Sequence, residues 1–228
     1  MTEIELDLEP FRNSPLFVGL EDELKKFAQL WRARLFRAAK GERIDHQLAR
    51  KCPGELACLL SGSALLRKYD AEGNQAVLDF ARPGYLLGCG GVLTDMPFHG
   101  LCVTAAAEGV LLTFCPSPAG EGERADGALQ SRLHANMLGL LTQQNWQLMK
   151  KAEIISRRSV REKVLAFLSA QREYFHSDAF ELDMDRQSMA DYLYINRSAL
   201  SRELGWLREE GLIEYHRSKF VLLFPAAN

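Results

Sequence analysis

Hydrophobic and polar positions along this chain change period several times. Over residues 16–31, Leu20, Leu24, Phe27, Ala28 and Trp31 fall on one stripe at helical spacing, which predicts a helix. Past Trp31 the period shortens. Apolar runs at 55–60, 64–69, 76–80, 85–88, 100–106 and 110–115 are separated by Ser61-Gly62, Glu72-Gly73-Asn74, Pro83-Gly84 and Glu108-Gly109. Short strands at this spacing predict a sandwich or barrel. No helix-length segment separates them, which argues against a parallel-sheet enzyme. Residues 116–127 (PSPAGEGERADG) form a polar break.

Residues 128–156 then read as one long helix with two stripes. His134, Leu138, Leu141, Asn145, Leu148, Ala152 and Ile155 follow heptad spacing, and Leu133, Met137, Leu140 and Gln144 run beside them. One stripe suits packing on the β region and the other a partner helix, with Asn145 able to fix register. A single broad buried face in a monomer gives a similar pattern.

In the last third, Val160, Val164, Phe167, Leu168 and Gln171 predict a helix over 157–175, and alternation over 179–184 predicts a short strand. Residues 185–207 (DRQSMADYLYINRSALSRELGWL) read as two short helices around a tight turn. Met189, Ala190 and Leu193 line the first helix, and Leu200, Leu204 and Leu207 the second. Strands at 212–215 and 220–223 then flank His216-Arg217-Ser218-Lys219 as a hairpin. An ordinary helical hairpin has the same apolar spacing, but the strand and hairpin around it make a winged helix-turn-helix. In that arrangement the second helix enters the major groove of DNA. Arg186, Gln187 and Ser188 open the first helix, where free N–H groups and positive charge favour phosphate. Asn196 is placed to cap the second helix. Arg197, Ser198, Ser201 and Arg202 form its polar face, and Arg217 and Lys219 sit at the wing tip.

A chain of 228 residues has room for one or two domains. Its formal net charge of −2 argues against nucleic-acid binding by the whole surface, leaving only a local basic set. The first ten residues, MTEIELDLEP, contain no apolar run of a signal peptide, and no stretch reaches the ~18 apolar residues of a membrane span. Five scattered cysteines, an odd number, fit a reduced cytoplasmic protein with no membrane partner. Cys89, His99 and Cys102 lie in one stretch with side chains that suit zinc, haem iron or a redox switch. Their spacing matches no strong metal pattern, and Cys102 and Cys115, flanked by apolar strand residues, read as core. No credible nucleophile–base set, carboxylate pair or phosphate loop is present, so the chain reads as a non-enzyme that requires no cofactor.

Residues 16–228 resemble the transcription regulators related to the cyclic-AMP receptor protein and the fumarate-nitrate regulator, the CRP/FNR family. The resemblance is carried by element order and by the phrases Ala39-Lys40-Gly41-Glu42, Leu59-Leu60-Ser61-Gly62, Arg82-Pro83-Gly84-Tyr85 and Arg208-Glu209-Glu210-Gly211-Leu212-Ile213. It implies an α+β fold in three parts. They are an N-terminal eight-stranded β-roll (a jelly roll like cyclic-nucleotide-binding domains) over 1–127, a dimerisation helix over 128–156 and a winged helix over 157–228. It further implies a homodimer on palindromic double-stranded DNA, RNA polymerase as a further partner, and a small effector. The effector would sit near Gly88, Cys89, Gly90, Gly91 and His99, against Gln144, Leu148 and Met149. The departures narrow that picture. Gly88-Cys89-Gly90-Gly91 replaces the Gly-Glu-Leu of the phosphate cassette, and Phe98-His99-Gly100 stands where its Arg should be. A buried phosphodiester would lack its cationic partner, which argues against cyclic AMP. No cysteine falls in residues 1–50, where the iron–sulfur members carry theirs. Ser198 replaces a frequent Glu in the recognition helix, so the usual half-site does not carry over. Tyr194 occupies a turn position that favours Gly. Alternative readings are a haem-, metal- or redox-sensing regulator using Cys89, His99 and Cys102, or a β-barrel sensing domain whose helices serve protein contacts only.

Overall fold

The computed structural model describes residues 1–70, 72–73, 75–88, 101–118 and 127–225. Contacts divide the chain into two units, residues 1–73 with 78–146, and residues 74–77 with 147–228. The first unit contains β1 (Thr2–Ile4), α1 (Glu9–Arg12), a 3-10 turn (Pro15–Phe17), α2 (Leu24–Leu30), β2 (Arg34–Ala38) and α3 (Ile44–Lys51). β3 (Leu56–Tyr69), β4 (Gln75–Ala81), β5 (Leu86–Leu87) and β6 (Leu101–Phe114) follow, β4 beginning among the residues grouped with the second unit. The sheet runs β1-β2-β6-β3-β4, with β5 also on β3.

Strand alternation separates two cores. Leu56, Cys58 and Leu60 point to one with Leu35, Leu112 and Phe114. Ala57, Leu59, Ala64 and Leu66 point to the other with Phe36, Val103, Ala105 and Leu111. Burial on both faces explains why these strands read as nearly continuous apolar runs. The first core is closed by aromatic residues from α1, the 3-10 turn and α2. Phe17 lies 4.8 Å from Phe27, and Phe27 is stacked 5.5 Å from Trp31.

Several sequence expectations change here. The helix expected over 16–31 is broken, because Gly19 takes a positive φ of 73° between the 3-10 turn and α2; its apolar stripe is nevertheless buried. The expected turns at Ser61-Gly62 and Glu108-Gly109 are facing irregularities inside two long strands. The β3–β6 register shifts between Leu59 and Ala64, and Val110 N–H donates to Ser61 Oγ at 3.1 Å. Four expected strands therefore fuse into two, and six strands of this sheet lie among the described residues, where the resemblance implied eight. Helix α3 was not foreseen. It is short, with buried Ile44 and partly buried Leu48 on its core side, and Asp45 fastens its start by accepting Val103 N–H at 2.9 Å and the Arg43 guanidinium. That pairing with Arg43 outweighs partial burial and holds the Asp45 carboxyl below the ordinary aspartate value.

Helix α4 (Gly127–Ser156) runs through both units. Leu129, Leu133, Met137 and Leu140 are buried in the first core. Along the heptad stripe His134, Leu138, Asn145, Leu148 and Ala152 are exposed, while Leu141 and Ile155 are half-buried. Two faces on one helix, one covered and one open, replace the single broad buried face.

The second unit adds α5 (Val160–Phe175), β7 (Ala179–Glu181), α6 (Arg186–Leu193), α7 (Arg197–Glu209), β8 (Ile213–His216) and β9 (Lys219–Leu222). The sequence placed the start of α5 three residues too early. Ser159 stops α4 from running on: it accepts Glu162 N–H, while the Glu162 carboxylate accepts its own N–H, a reciprocal cap. The small sheet runs β7-β9-β8.

Candidate nucleic-acid interface

Helix α6 begins at Asp185, whose carboxylate accepts Ser188 N–H at 2.7 Å, and buries Met189, Ala190 and Leu193. It ends on Tyr194, held in the left-handed region at φ 52°. Ile195 N–H then donates back to Ala190 carbonyl at 3.1 Å and closes the turn. Helix α7 follows at once. Asn196 is its N-terminal cap by position, but its side chain makes no cap bond; its carbonyl accepts Leu200 N–H at 3.0 Å.

The inward side of α7 carries Leu200, Leu204 and Leu207, all fully buried. Arg197, Ser198, Ser201 and Arg202 are exposed together on its outward side. Four polar side chains with ten potential guanidinium donors thus share one accessible helical face, as reading of base edges in a groove requires.

Glu203 interrupts the apolar side: it is 5% exposed. Arg161, near the start of α5, reaches it at 3.4 Å and also grips Glu210 through Nη1 at 2.9 Å. One guanidinium therefore ties α7 to α5 at two points about two turns apart, the second at the C-cap of α7. Sequence reasoning missed this clamp, although a charged residue inside the 200/204/207 stripe was the available signal. Arg161→Met should lower the unit's stability by about 1–3 kcal/mol. That is less than the ~3–5 kcal/mol typical of a fully buried pair, because Arg161 remains partly in water. Adding Glu203→Met should restore much of the loss, since two apolar groups leave no orphaned charge. Denaturant unfolding of the single and double variants measures both effects.

The wing is the β8–β9 hairpin. Arg217 at its tip is exposed with φ 55°, and Lys219 is exposed with only a 3.8 Å approach to Glu181. Both side chains are available to an anion. Arg186 has another job than the one expected of it. Its guanidinium lies 4.9 Å from the ring centres of both Tyr215 and Phe220, and Nη2 donates to Arg217 carbonyl at 2.8 Å. Desolvation lowers its pKa, and the residue joins α6 to the wing. Ser188 is a correction: at 5% exposure it faces the interior. Gln187 is exposed, with its amide donating to Asp191 at 2.8 Å.

The residues expected around an effector are described only in part. Cys89, Gly90, Gly91 and His99 lie outside the described residues. Gly88 is exposed, and so are Leu148 and Met149. Gln144 is already engaged: its Nε2 donates to Leu86 carbonyl at 3.1 Å and its Oε1 accepts Leu86 N–H at 3.4 Å, fastening β5 to α4. Cys102 is buried with Sγ 3.5 Å from Thr104 Oγ1, and Cys115 is only half-buried. Among the described residues no three His, Cys, Asp or Glu side chains are grouped to hold a metal, and no helix is long and apolar enough to cross a membrane.

A two-helix motif with an open polar second helix, a basic wing and a separate N-terminal sheet defines the class: a winged helix-turn-helix protein with an N-terminal β unit. Residues 162–227 match the Crp-like helix-turn-helix domain. The nitrogen fixation regulation protein FixK of Bradyrhizobium diazoefficiens is 29% identical over 173 residues, 74% of this chain and 70% of that protein. Among solved structures, FixK2 from Bradyrhizobium japonicum superposes with a TM-score of 0.61 at 22% identity, over 84% of this chain and 93% of that one. A CRP-family transcriptional regulator from Thermus thermophilus gives 0.61 at 20% identity, over 83% and 92%. Residues 162–227 thus carry a Crp-like helix-turn-helix domain, and the chain as a whole is similar in sequence to FixK and in fold to regulators of the CRP/FNR family.

Proposed function

We propose that this chain is a cytoplasmic regulator that binds palindromic double-stranded DNA as a homodimer. The observation that carries the reading is the co-exposure of Arg197, Ser198, Ser201 and Arg202 on α7 beside Arg217 and Lys219 on the wing. The open heptad stripe of α4 supports the dimer, and two recognition helices then meet successive major grooves about 34 Å apart. On this reading residues 1–127 sense, 128–156 pair and 157–228 bind DNA. The effector is not cyclic AMP, since the phosphate-gripping Glu and Arg are replaced, and RNA polymerase is the further partner.

The roles divide between bases and backbone. Arg197, in the first turn of α7, reaches guanine O6 and N7; Lys219 meets phosphate. Arg197→Ala should relax preference at one symmetric pair of base positions, by about 1–3 kcal/mol per base. Lys219→Ala should weaken all duplexes alike and reduce the salt slope by about one. Titrations of operator variants at several salt concentrations separate the two. Equal weakening of every sequence by Arg197→Ala would make Arg197 a backbone contact.

A further inference from the structure

Lys151 is a buried cation of the second unit. It lies on the last turns of α4 and is 5% exposed. A lysine in that position needs compensation for its lost hydration. The described residues supply some of it. The ammonium lies 4.2 Å from the ring centre of Tyr192 and 5.5 Å from that of Tyr194, and it donates to Val77 carbonyl. The two rings present their negative faces to it. Tyr192 is in turn packed 5.5 Å from Phe167 of α5.

The position of these tyrosines gives the contact its meaning. Tyr192 is on the last turn of α6. Tyr194 is the left-handed residue from which the chain turns into α7. A non-glycine side chain rarely adopts that backbone, and it persists where the surroundings over-determine it. The Tyr194 ring is half exposed, and the Lys151 ammonium lies over the face it turns inward. Three residues further on, α7 begins with Arg197.

We propose that Lys151 is a positioning residue for DNA recognition: through the faces of Tyr192 and Tyr194 it fixes the turn that aims α7. It touches no base and no phosphate. The proposal rests on the DNA-binding reading above and adds that the end of the pairing helix, not the winged helix alone, sets the recognition angle.

The test is a cycle of Lys151→Met and Tyr194→Gly in the full chain. The probe is the duplex that the unsubstituted protein selects from a randomised palindromic pool, with a scrambled duplex as control. Lys151→Met should weaken binding to the selected duplex at least tenfold and leave the scrambled duplex within twofold. In the Tyr194→Gly background, where glycine holds the turn without a ring, the same change should cost less than threefold. Equal losses in both backgrounds, equal losses on both duplexes, or no loss overturn the proposal. So does a Lys151→Met chain that has lost its helical circular dichroism, because Lys151 then holds the whole unit together rather than aiming one helix. If the unsubstituted protein selects no duplex, the DNA-binding reading falls and takes this inference with it. If it selects one and Lys151→Met binds it equally well, only this inference falls.

Discussion

Gly62→Ala should unfold most of the N-terminal unit, and Gly109→Ala should destabilise it by a similar mechanism. At Gly62 a Cβ would lie 2.4 Å from Glu108 carbonyl oxygen and 2.6 Å from Gly109 Cα. At Gly109 it would lie 2.3 Å from Ser61 carbonyl oxygen. In both cases the obstacle is backbone of the neighbouring strand, which cannot swing aside as a side chain does. Gly62 also has φ 79°, which adds a left-handed penalty of about 1–2 kcal/mol. Overpacking adds roughly 1–3 kcal/mol or more. Together these approach the whole stability of a domain, about 5–15 kcal/mol. Amide hydrogen exchange in β3 and β6 gives the readout. Native-like protection in Gly62→Ala would show that the two strands do not cross so closely.

Pairing Leu138→Lys with Leu148→Lys should yield a monomer that loses its preference for a two-half-site duplex. These seam positions are 66% and 45% exposed in the single chain, so the lysines disturb no existing core. Leu141 would be a poorer choice, because it packs against the core of the first unit. In a dimer both changes would place charge in an apolar seam. A monomer holds one half-site at a time and forgoes the effective concentration of the second, a factor of about 10²–10⁴ in affinity. Solution scattering reports the assembly, and titration on whole and half sites reports the binding. A double variant that stays dimeric would place the interface elsewhere.

The C-terminal unit was the more legible part of the sequence. Its buried residues recur at i, i+4 and i+7 within single helices, so Leu200, Leu204 and Leu207 declare a face without knowledge of the rest. The N-terminal sheet was harder. Gly62 and Gly109 look like turn formers in isolation, and only their apposition across β3 and β6 shows that they permit two backbones to approach. The polar outer face of α7 was readable because polar residues opposite an apolar stripe must face outward. The side-chain partners that the sequence did not reveal share one cause. Arg186, Ser188 and Gln144 were assigned by position along an element, but their partners, Tyr215 and Phe220, the domain interior, and Leu86, come from distant sequence. Lys151, Arg161 and Glu203 were missed for the same reason.

The β3–β6 pairing also orders events in time. Leu56 pairs with Phe114 and Lys68 with Leu101, so the main ladder joins segments separated by a long excursion of chain. During synthesis β3 emerges well before its neighbour exists, and its apolar edge must wait for β6. The second unit is built largely from adjacent elements: α6 is followed directly by α7, and β8 by β9. Contacts of short sequence separation form fast, and pairings of long separation are slow to close. Folding speed therefore runs opposite to the order of synthesis: the unit made last is the one built to fold first.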